Sequence, residues 1–407
     1  MAFYNSVATA TNDFTNNKKV LLVAGAVADE LDYIKASVSK MPQSEFKGKK
    51  YGKTYNIYIP DVGSVKEGLE ASPDDITEVE TEIKLNNFNT SCTIDAWNEL
   101  GDIESFKDQI AKPRGQHLAR QMAKSIVNEN VFKDMQAVIA DAPSFGVLSD
   151  ASAALNELAV GGEVVSFMHP TVMGRISASG LSNFIQATEA KEIYGKNYLG
   201  MYAGAEQVQC PLLPTVTIKD APTATISLVP VKDGKSTTIG FETVDTITGT
   251  NLVPGAVFTT GGALKIVDQS GIATEQDVQI IVLSTNPEGT SAKISPIRIT
   301  VEGKNTGNPN AWMKAGVETL TLTSALAVGT YWIGQVRSRE CMCFDSFKFE
   351  NLPGSENEDV ATVGGVTVKM SLYGDGTNLT KLVRLDVPHA AGIWDARGAV
   401  AVYIKKS

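Results

Sequence analysis

The sequence predicts an α+β chain whose mixed α/β body is interrupted by an all-β, barrel-like segment. Three patterns carry that expectation. Strand-like alternation runs from Glu78 to Asp95, and apolar residues recur at helical spacing from Pro113 to Ala142. From about Ala221 to Leu326 the composition shifts to Thr, Val, Ile and Gly, with tight-turn signals and no convincing helix.

Size and composition set the frame. At 407 residues the chain exceeds one ordinary core, which implies two or three domains. A hydrophobic content of 43% supports a packed body. Lys and Arg number 36 against 46 Asp and Glu, for a net charge of -10. Such a chain repels nucleic acid on average unless its charge is segregated by face, which disfavours tight direct binding. Cys92, Cys210, Cys341 and Cys343 are too few and too scattered for a disulfide framework, so a reducing compartment is expected. Residues 1–19 are polar and lack the layout of a signal peptide. The apolar stretch Val20 to Ala28 falls short of the roughly twenty residues that span a bilayer, so a soluble protein with no membrane partner is expected.

Residues 1–19 read as an extended arm. From Lys19 to Ser39, Leu22, Ala26, Leu31, Ile34 and Val38 recur at roughly helical spacing, and Pro42 stops the pattern. "KGKKYGK" (47–53) is a basic turn, and "TYNIYIP" (54–60) reads as a strand ending at proline. Residues 61–77 are loop-like. In the long strand that follows, Val79, Thr81, Ile83 and Leu85 lie on one side and Glu78, Glu80, Glu82 and Lys84 on the other. The two strands together predict a hairpin arm.

Pro113 to Ala142 predicts a spine helix of about 45 Å, its apolar face carrying Leu118, Met122, Ile126, Val131, Met135 and Val138. Pro113 suits a first helical turn, and Pro143 ends the run. Ser149 to Leu158 reads as a helix, "GEVVSFMHP" (162–170) as a buried strand, and Pro170 to Ala178 as another helix. The all-β segment has turn signals at "KDGK" (232–235), "TTGG" (259–262) and "NPEG" (286–289). Its expected core holds Leu228, Phe241, Val257, Leu264, Ile280 and Ile299. Residues 366–387 predict a hairpin around "GDGTN" (374–378).

The chemistry in the sequence is sparse. Three histidines are present, His117, His169 and His389, and none stands in a catalytic or metal-binding motif. Cys341 and Cys343 would share one side of a strand, but Cys92 and Cys210 stand alone, so buried small hydrophobes fit better than zinc ligands. "GDGTN" lacks the further acidic residues of a calcium loop. No glycine-rich phosphate motif occurs. The pattern predicts no enzyme, no cofactor and no metal.

The order of elements resembles the Hong Kong 97-type capsid fold of tailed bacteriophages. Three segments are similar to the coat proteins of short-tailed enterobacterial phages, which carry an inserted I-domain. These are "VQCPLLPTVTIKDAPTATISL" (208–228), "LVPGAVFTTGGALKIV" (252–267) and "VTVKMSLYGDGTNLTKLVRLDVPHAAGIWDARGAVAVYI" (366–404). The resemblance implies an N-arm with its helix (1–43), an E-loop (44–95) and a P-domain with the spine helix (96–145). It also implies a first A-domain part (146–220), the inserted β domain (221–326) and a closing A/P segment (327–407).

By the same resemblance the chain is a major capsid protein, assembled in the host cytoplasm into the virion. It would form hexamers and pentamers of an icosahedral shell around double-stranded DNA, without sequence-specific binding. A scaffolding protein, a portal protein and, on some shells, a decoration protein are the implied partners. The expected inter-subunit residues are Lys47, Lys49, Lys50 and Lys53, which read equally as a solvated loop, and Lys232, Asp233 and Lys235 of the "KDGK" turn. A different β-rich virion component, such as a tail or adhesin protein, is the alternative; such proteins usually lack the spine helix between a hairpin arm and an α/β body.

Overall fold

The computed structural model describes residues 20–27, 39–40, 54–60, 78–95, 111–158, 160–180, 201–232, 238–301, 309–313, 319–347, 357–375 and 380–406. The chain divides into two compact units. One comprises Met1–Tyr55, Ile83–Ile126 and Cys343–Gly392; the other comprises Asn56–Glu82, Val127–Met342 and Ile393–Ser407.

In chain order, helical residues 20–27 precede β1 (Ser39–Lys40), β2 (Thr54–Pro60) and β3 (Glu78–Asp95). Helix α1 (Lys112–Asn130), β4 (Ala137–Ala140), α2 (Phe145–Asn156), β5 (Val164–Met168) and α3 (Pro170–Gly180) follow. Next come β6 (Met201–Tyr202), β7 (Ala205–Gln209) and β8 (Thr215–Ile218). A run of strands continues with β9 (Thr223–Ser227), β10 (Pro230–Lys232), β11 (Thr238–Phe241), β12 (Val244–Thr250), β13 (Val257–Thr259) and β14 (Leu264–Val267). The run ends with β15 (Ala273–Asp277), β16 (Gln279–Thr285), β17 (Ser291–Ile297), β18 (Ile299–Val301), β19 (Ala311–Met313) and β20 (Thr319–Ser324). The chain closes with β21 (Gly329–Ser338), β22 (Met342–Ser346), β23 (Asn357–Val363), β24 (Val366–Asp375), β25 (Thr380–Ile393) and β26 (Ala399–Lys405).

The first unit is organised on β25. One edge of that strand pairs with β24 from Lys369↔Asp386 to Asp375↔Thr380. The other pairs antiparallel with β3 from Thr380↔Asp95 to Ala390↔Leu85. The long alternation in 78–95 thus forms one strand, which also pairs with β2. Val366, Val368 and Met370 of β24 and Val383, Leu385 and Val387 of β25 are buried, and so are Thr367, Lys369 and Ser371 on the other face of β24. Gly115 of α1 lies against helical residues 20–27: a Cβ there would stand 3.0 Å from the Ala26 Cβ, so any larger residue would push the two segments apart by a few tenths of an ångström.

Two expectations about helices need correction. The Lys19–Ser39 pattern is helical at 20–27, but Ser39–Lys40 is a strand, paired in parallel with Cys343 and Phe344. The spine helix ends at Asn130, not at Ala142. The Asn130 side chain is buried and its Oδ1 accepts the Ile393 N–H at 2.9 Å. After a turn, Ala137–Ala140 pairs in parallel with β26. Val131 and Met135 are buried in the turn, so helical spacing persisted past the end of the helix. Within α1 the apolar face holds: Leu118, Met122 and Ile126 are buried, while Lys112, Arg120 and Lys124 are exposed.

The α/β part of the second unit is a sheet in the order β4-β26-β21-β5-β7-β6, with β8 also on β21. Helices α2 and α3 cover it through Leu148, Ala151, Leu155, Val172 and Ile176, which pack on Val336, Val400 and Val402. In the same unit, β9, β12, β13, β16, β17 and β20 close into a barrel. A second sheet runs β10-β11-β18-β19-β14-β15. No helix occurs among the described residues of 221–326. Ile226, Ile247, Phe258, Val282, Ile294 and Leu322 are buried. Of the expected core, Leu228, Val257, Leu264, Ile280 and Ile299 are buried. Phe241 is only partly covered, because it ends β11 opposite Pro230 of the edge strand β10.

Candidate functional site

The residues singled out for inter-subunit contact mostly fall outside the described residues. That holds for Lys47, Lys49, Lys50, Lys53, Asp233 and Lys235. Lys232 ends β10, and its side chain also lies outside them. Of the acidic stripe on β3, Glu82 is described and exposed. Strands β24 and β25 pair antiparallel as far as Asp375↔Thr380, and Gly376, Thr377 and Asn378 of "GDGTN" lie outside the described residues.

The histidines occupy three unrelated settings. His117 is exposed on α1. His169 stands at the start of α3, where its Nδ1 accepts the Thr171 N–H at 3.2 Å, satisfying a helix-terminal donor. Its ring lies 4.2 Å from that of Trp332, whose ring also carries the Lys406 ammonium at 4.7 Å. Partial burial, and secondarily the Lys406 charge, lower its pKa. His389 is buried beside Phe88, with ring centroids 5.6 Å apart, and its Nδ1 is 3.1 Å from the Val387 oxygen.

The cysteines are all free. Cys341 belongs to a 3-10 turn, Arg339–Cys341, and Cys343 to β22, so the expected shared strand face does not form. Cys341 donates Sγ–H to the Ser338 oxygen at 3.1 Å, and burial pushes its thiol pKa far up. Among the described residues no group of three His, Cys, Asp or Glu side chains could hold a metal ion. No helix among them is long and apolar enough to cross a membrane.

The second unit instead concentrates its polar chemistry where the strands of 221–326 meet the α/β sheet. The Asp395 carboxylate receives Arg397 Nε at 2.9 Å and Nη2 at 3.0 Å, and both side chains are buried. Arg397 Nη1 reaches the Asp268 oxygen at 2.8 Å, and Gln269 Nε2 reaches Asp395 Oδ2 at 3.3 Å. Ser295 Oγ donates to the Lys133 oxygen at 2.6 Å. Gln279 is used twice: its Oε1 accepts Ala137 N–H at 2.5 Å, and its own N–H reaches the Met135 oxygen at 2.9 Å. Gly255, at φ +82°, packs on Val216 and Phe132 where a Cβ would collide with both. Nearby, Asp134 is buried and accepts Gln335 Nε2 at 2.8 Å. Desolvation raises its pKa well above the carboxylate range, against the Gln335 hydrogen bond and the Arg337 charge. These contacts join the strands of 221–326 to the α/β sheet; they assemble no nucleophile with a base.

Two further features stand out in the second unit. Strand β8 pairs antiparallel with the start of β21, from Trp332↔Thr215 to Gly329↔Ile218, and Thr217 Oγ1 lies 3.1 Å from Thr330 Oγ1. The chain therefore leaves the sheet for the barrel and returns to it on adjacent strands. The outward positions of β9, β12 and β20 form an exposed field of hydroxyls. Thr223, Thr225 and Ser227 lie on β9 and Thr246, Thr248 and Thr250 on β12. Thr319, Thr321 and Thr323 lie on β20. Sequence reading passed over both the joint and this field. The joint leaves no local signal, whereas the Thr-x-Thr alternation was visible in all three strands.

No protein-family model matches the chain, and no curated protein does. Several solved phage capsids are similar to it. The capsid of Ralstonia phage GP4 aligns at 6% identity and a TM-score of 0.49, covering 92% of this chain and 88% of that one. The capsid of cyanophage P-SCSP1u aligns at 11% identity and a TM-score of 0.46, covering 91% and 86%. The capsid of an empty GTA particle aligns at 8% identity and a TM-score of 0.43, covering 93% and 90%.

Proposed function

We propose that this chain is the major capsid protein of a tailed bacteriophage, a self-assembling shell subunit and not an enzyme. The observation that carries the reading is the return of the chain on paired strands. Strands β8 and β21 are neighbours in one sheet, and the closed barrel is built from the residues between them. An insert must leave and rejoin its host at adjacent points. A β-barrel inserted in an α/β body, after a long strand and an amphipathic helix, is the element order of the I-domain coat proteins that the sequence resembles.

In this reading the subunit forms hexamers and pentamers through contacts that close under rotation. Segment 44–95 reaches over a neighbour as the E-loop, and 1–43 serves as the N-arm. The "KDGK" turn, with Lys232, Asp233 and Lys235, meets the next capsomer, and the basic residues Lys47, Lys49, Lys50 and Lys53 meet acidic groups on an adjacent subunit. Each contact is weak, and their number makes the shell strong. A scaffolding protein directs assembly, a portal protein occupies one vertex, some shells of this kind carry a decoration protein, and the acidic balance keeps the container from adhering to the DNA it encloses.

The test is expression of the chain with and without a phage scaffolding protein, followed by negative-stain microscopy. Closed shells of uniform diameter are expected. A folded chain that stays monomeric under both conditions would overturn the reading.

A further inference from the structure

We infer that an open cleft in the second unit, between the strands of 221–326 and the α/β sheet, binds an alkyl cation: a guanidinium or primary ammonium group on a short hydrocarbon stem. The inference stands apart from the shell reading, since the residues that line the cleft belong to this one chain. The cleft has a volume of about 310 Å3. Gln136, Val138 of β4 and Ala154 of α2 line it from the α/β part. Lys265 of β14 and Glu275, Gln276 and Asp277 of β15 line it from the other.

Two carboxamide oxygens call for a donor. Gln136 is 6% exposed, and its Oε1 has no hydrogen-bond partner among the described residues. The same holds for Gln276 Oε1. The Gln276 amide is fixed the way it points, because its Nε2 donates to the Ala154 oxygen at 3.3 Å and to Glu157 Oε2. A buried acceptor without a donor costs free energy, so a ligand that brings N–H groups recovers it at both residues. The terminal torsion of a glutamine is soft, and a small rotation turns either oxygen toward an entering group.

Charge makes the donor a cation. Among the described residues Lys265 is the one cation that lines the cleft, and its Nζ is already held by Asp277 Oδ1 at 2.7 Å and the Glu275 carbonyl oxygen at 2.7 Å. Asp277, Glu275 and the Glu157 that touches Gln276 set three carboxylates against that one ammonium. The excess attracts a positive group and repels an anion. Ammonium and guanidinium groups carry donors only, so they meet these acceptors without adding one of their own. The walls supply the stem: Val138 and Ala154 are partly buried hydrophobics packed on the core beneath α2. An alkyl chain lies on such a wall while its charged head reaches the polar end.

The experiment is calorimetric titration of the folded, unassembled full chain with n-butylguanidinium at low salt. Saturable binding of one ligand per chain is expected. Tetramethylammonium keeps the charge without N–H donors, and n-butanol keeps the stem without the charge; each is expected to bind about tenfold more weakly or worse. Gln136→Met removes one unpaired acceptor. It is expected to melt no lower than the unaltered chain and to weaken n-butylguanidinium binding about tenfold. If Gln136→Met does not fold, Glu275→Lys, at an exposed position, is expected to weaken binding about fivefold at low salt and less at high salt. Two sources of the cation are separated by repeating the titration on assembled shells. Retained binding assigns the cleft to a free alkyl cation. Binding blocked in the shell and restored on its dissociation assigns it to a basic side chain of a neighbouring chain. No saturable binding would mean that solvent alone satisfies the two oxygens and would overturn the inference. Equal binding of the two control compounds, or an unchanged affinity in the folded variant, would overturn it as well. Each of these results leaves the shell reading untouched.

Discussion

Arg397 donates Nη1 to the carbonyl oxygen of Asp268 at 2.8 Å, across 129 residues of sequence. The same guanidinium is forked on the buried Asp395 carboxylate, next to Arg397 in a 3-10 turn, Ala396–Gly398. Asp268 in turn shapes the β14–β15 loop, its Oδ1 accepting Ser270 N–H at 2.9 Å and Ile272 N–H at 2.8 Å. A buried ion pair thus fixes the loop between β14 and β15 to the 3-10 turn that precedes β26.

Removing the cation should leave a carboxylate buried beside a carbonyl. Arg397→Met is expected to cost about 3–5 kcal/mol, the usual range when one partner of a buried pair is lost. Adding Asp395→Asn should recover part of that loss, since the uncompensated carboxylate is then removed. Urea midpoints of the two single variants and the double variant give the coupling. Additive losses would mean that the pair is not a unit.

Asp134 makes stability depend on pH in a defined direction. Burial raises its pKa in the folded chain, so the folded state holds a proton that the unfolded state releases at about pH 4. Its contribution is complete below pH 4 and is lost as pH rises to the elevated folded value, at up to about 1.4 kcal/mol per pH unit. Asp134→Asn keeps an acceptor for Gln335 and should flatten that slope. Denaturation midpoints measured from pH 4 upward for both chains compare the slopes; identical slopes would remove Asp134 as their source.

Met122 is fully buried at the middle of α1. Met122→Asp should cost several kcal/mol and abolish soluble protein, because the site offers an apolar environment to a carboxylate. Met122→Leu conserves volume and should cost less than about 1.5 kcal/mol. Soluble yield and far-ultraviolet circular dichroism separate the two outcomes.

Thiol labelling should follow burial. Cys92 is partly exposed, while Cys210, Cys341 and Cys343 are buried. A water-soluble disulfide reagent is expected to modify Cys92 first and the other three only on unfolding. Cys341→Ala should lower stability without removing any chemical activity. Rapid labelling of Cys341 in the native chain would contradict its packing.

Periodicity and composition were legible in the order of residues alone. Alternation in 78–95 became one strand, the spacing of Leu118, Met122 and Ile126 became a buried helix face, and the Thr- and Val-rich run became strands with turns at Gly262 and Gly289. These are local properties, set by which residues can share a face. The helix terminus was not local: Asn130 ends α1 where its side chain binds the Ile393 amide, 263 residues onward. Nor was the shared face of Cys341 and Cys343, which a 3-10 turn removes. Pairing of β8 with β21, closure of the barrel and the meeting of Asp268, Asp395 and Arg397 depend on which distant segments return to one another. Only the tertiary structure decides those, because the energy of a buried ion pair or a strand register belongs to two segments at once and leaves no periodic trace in either.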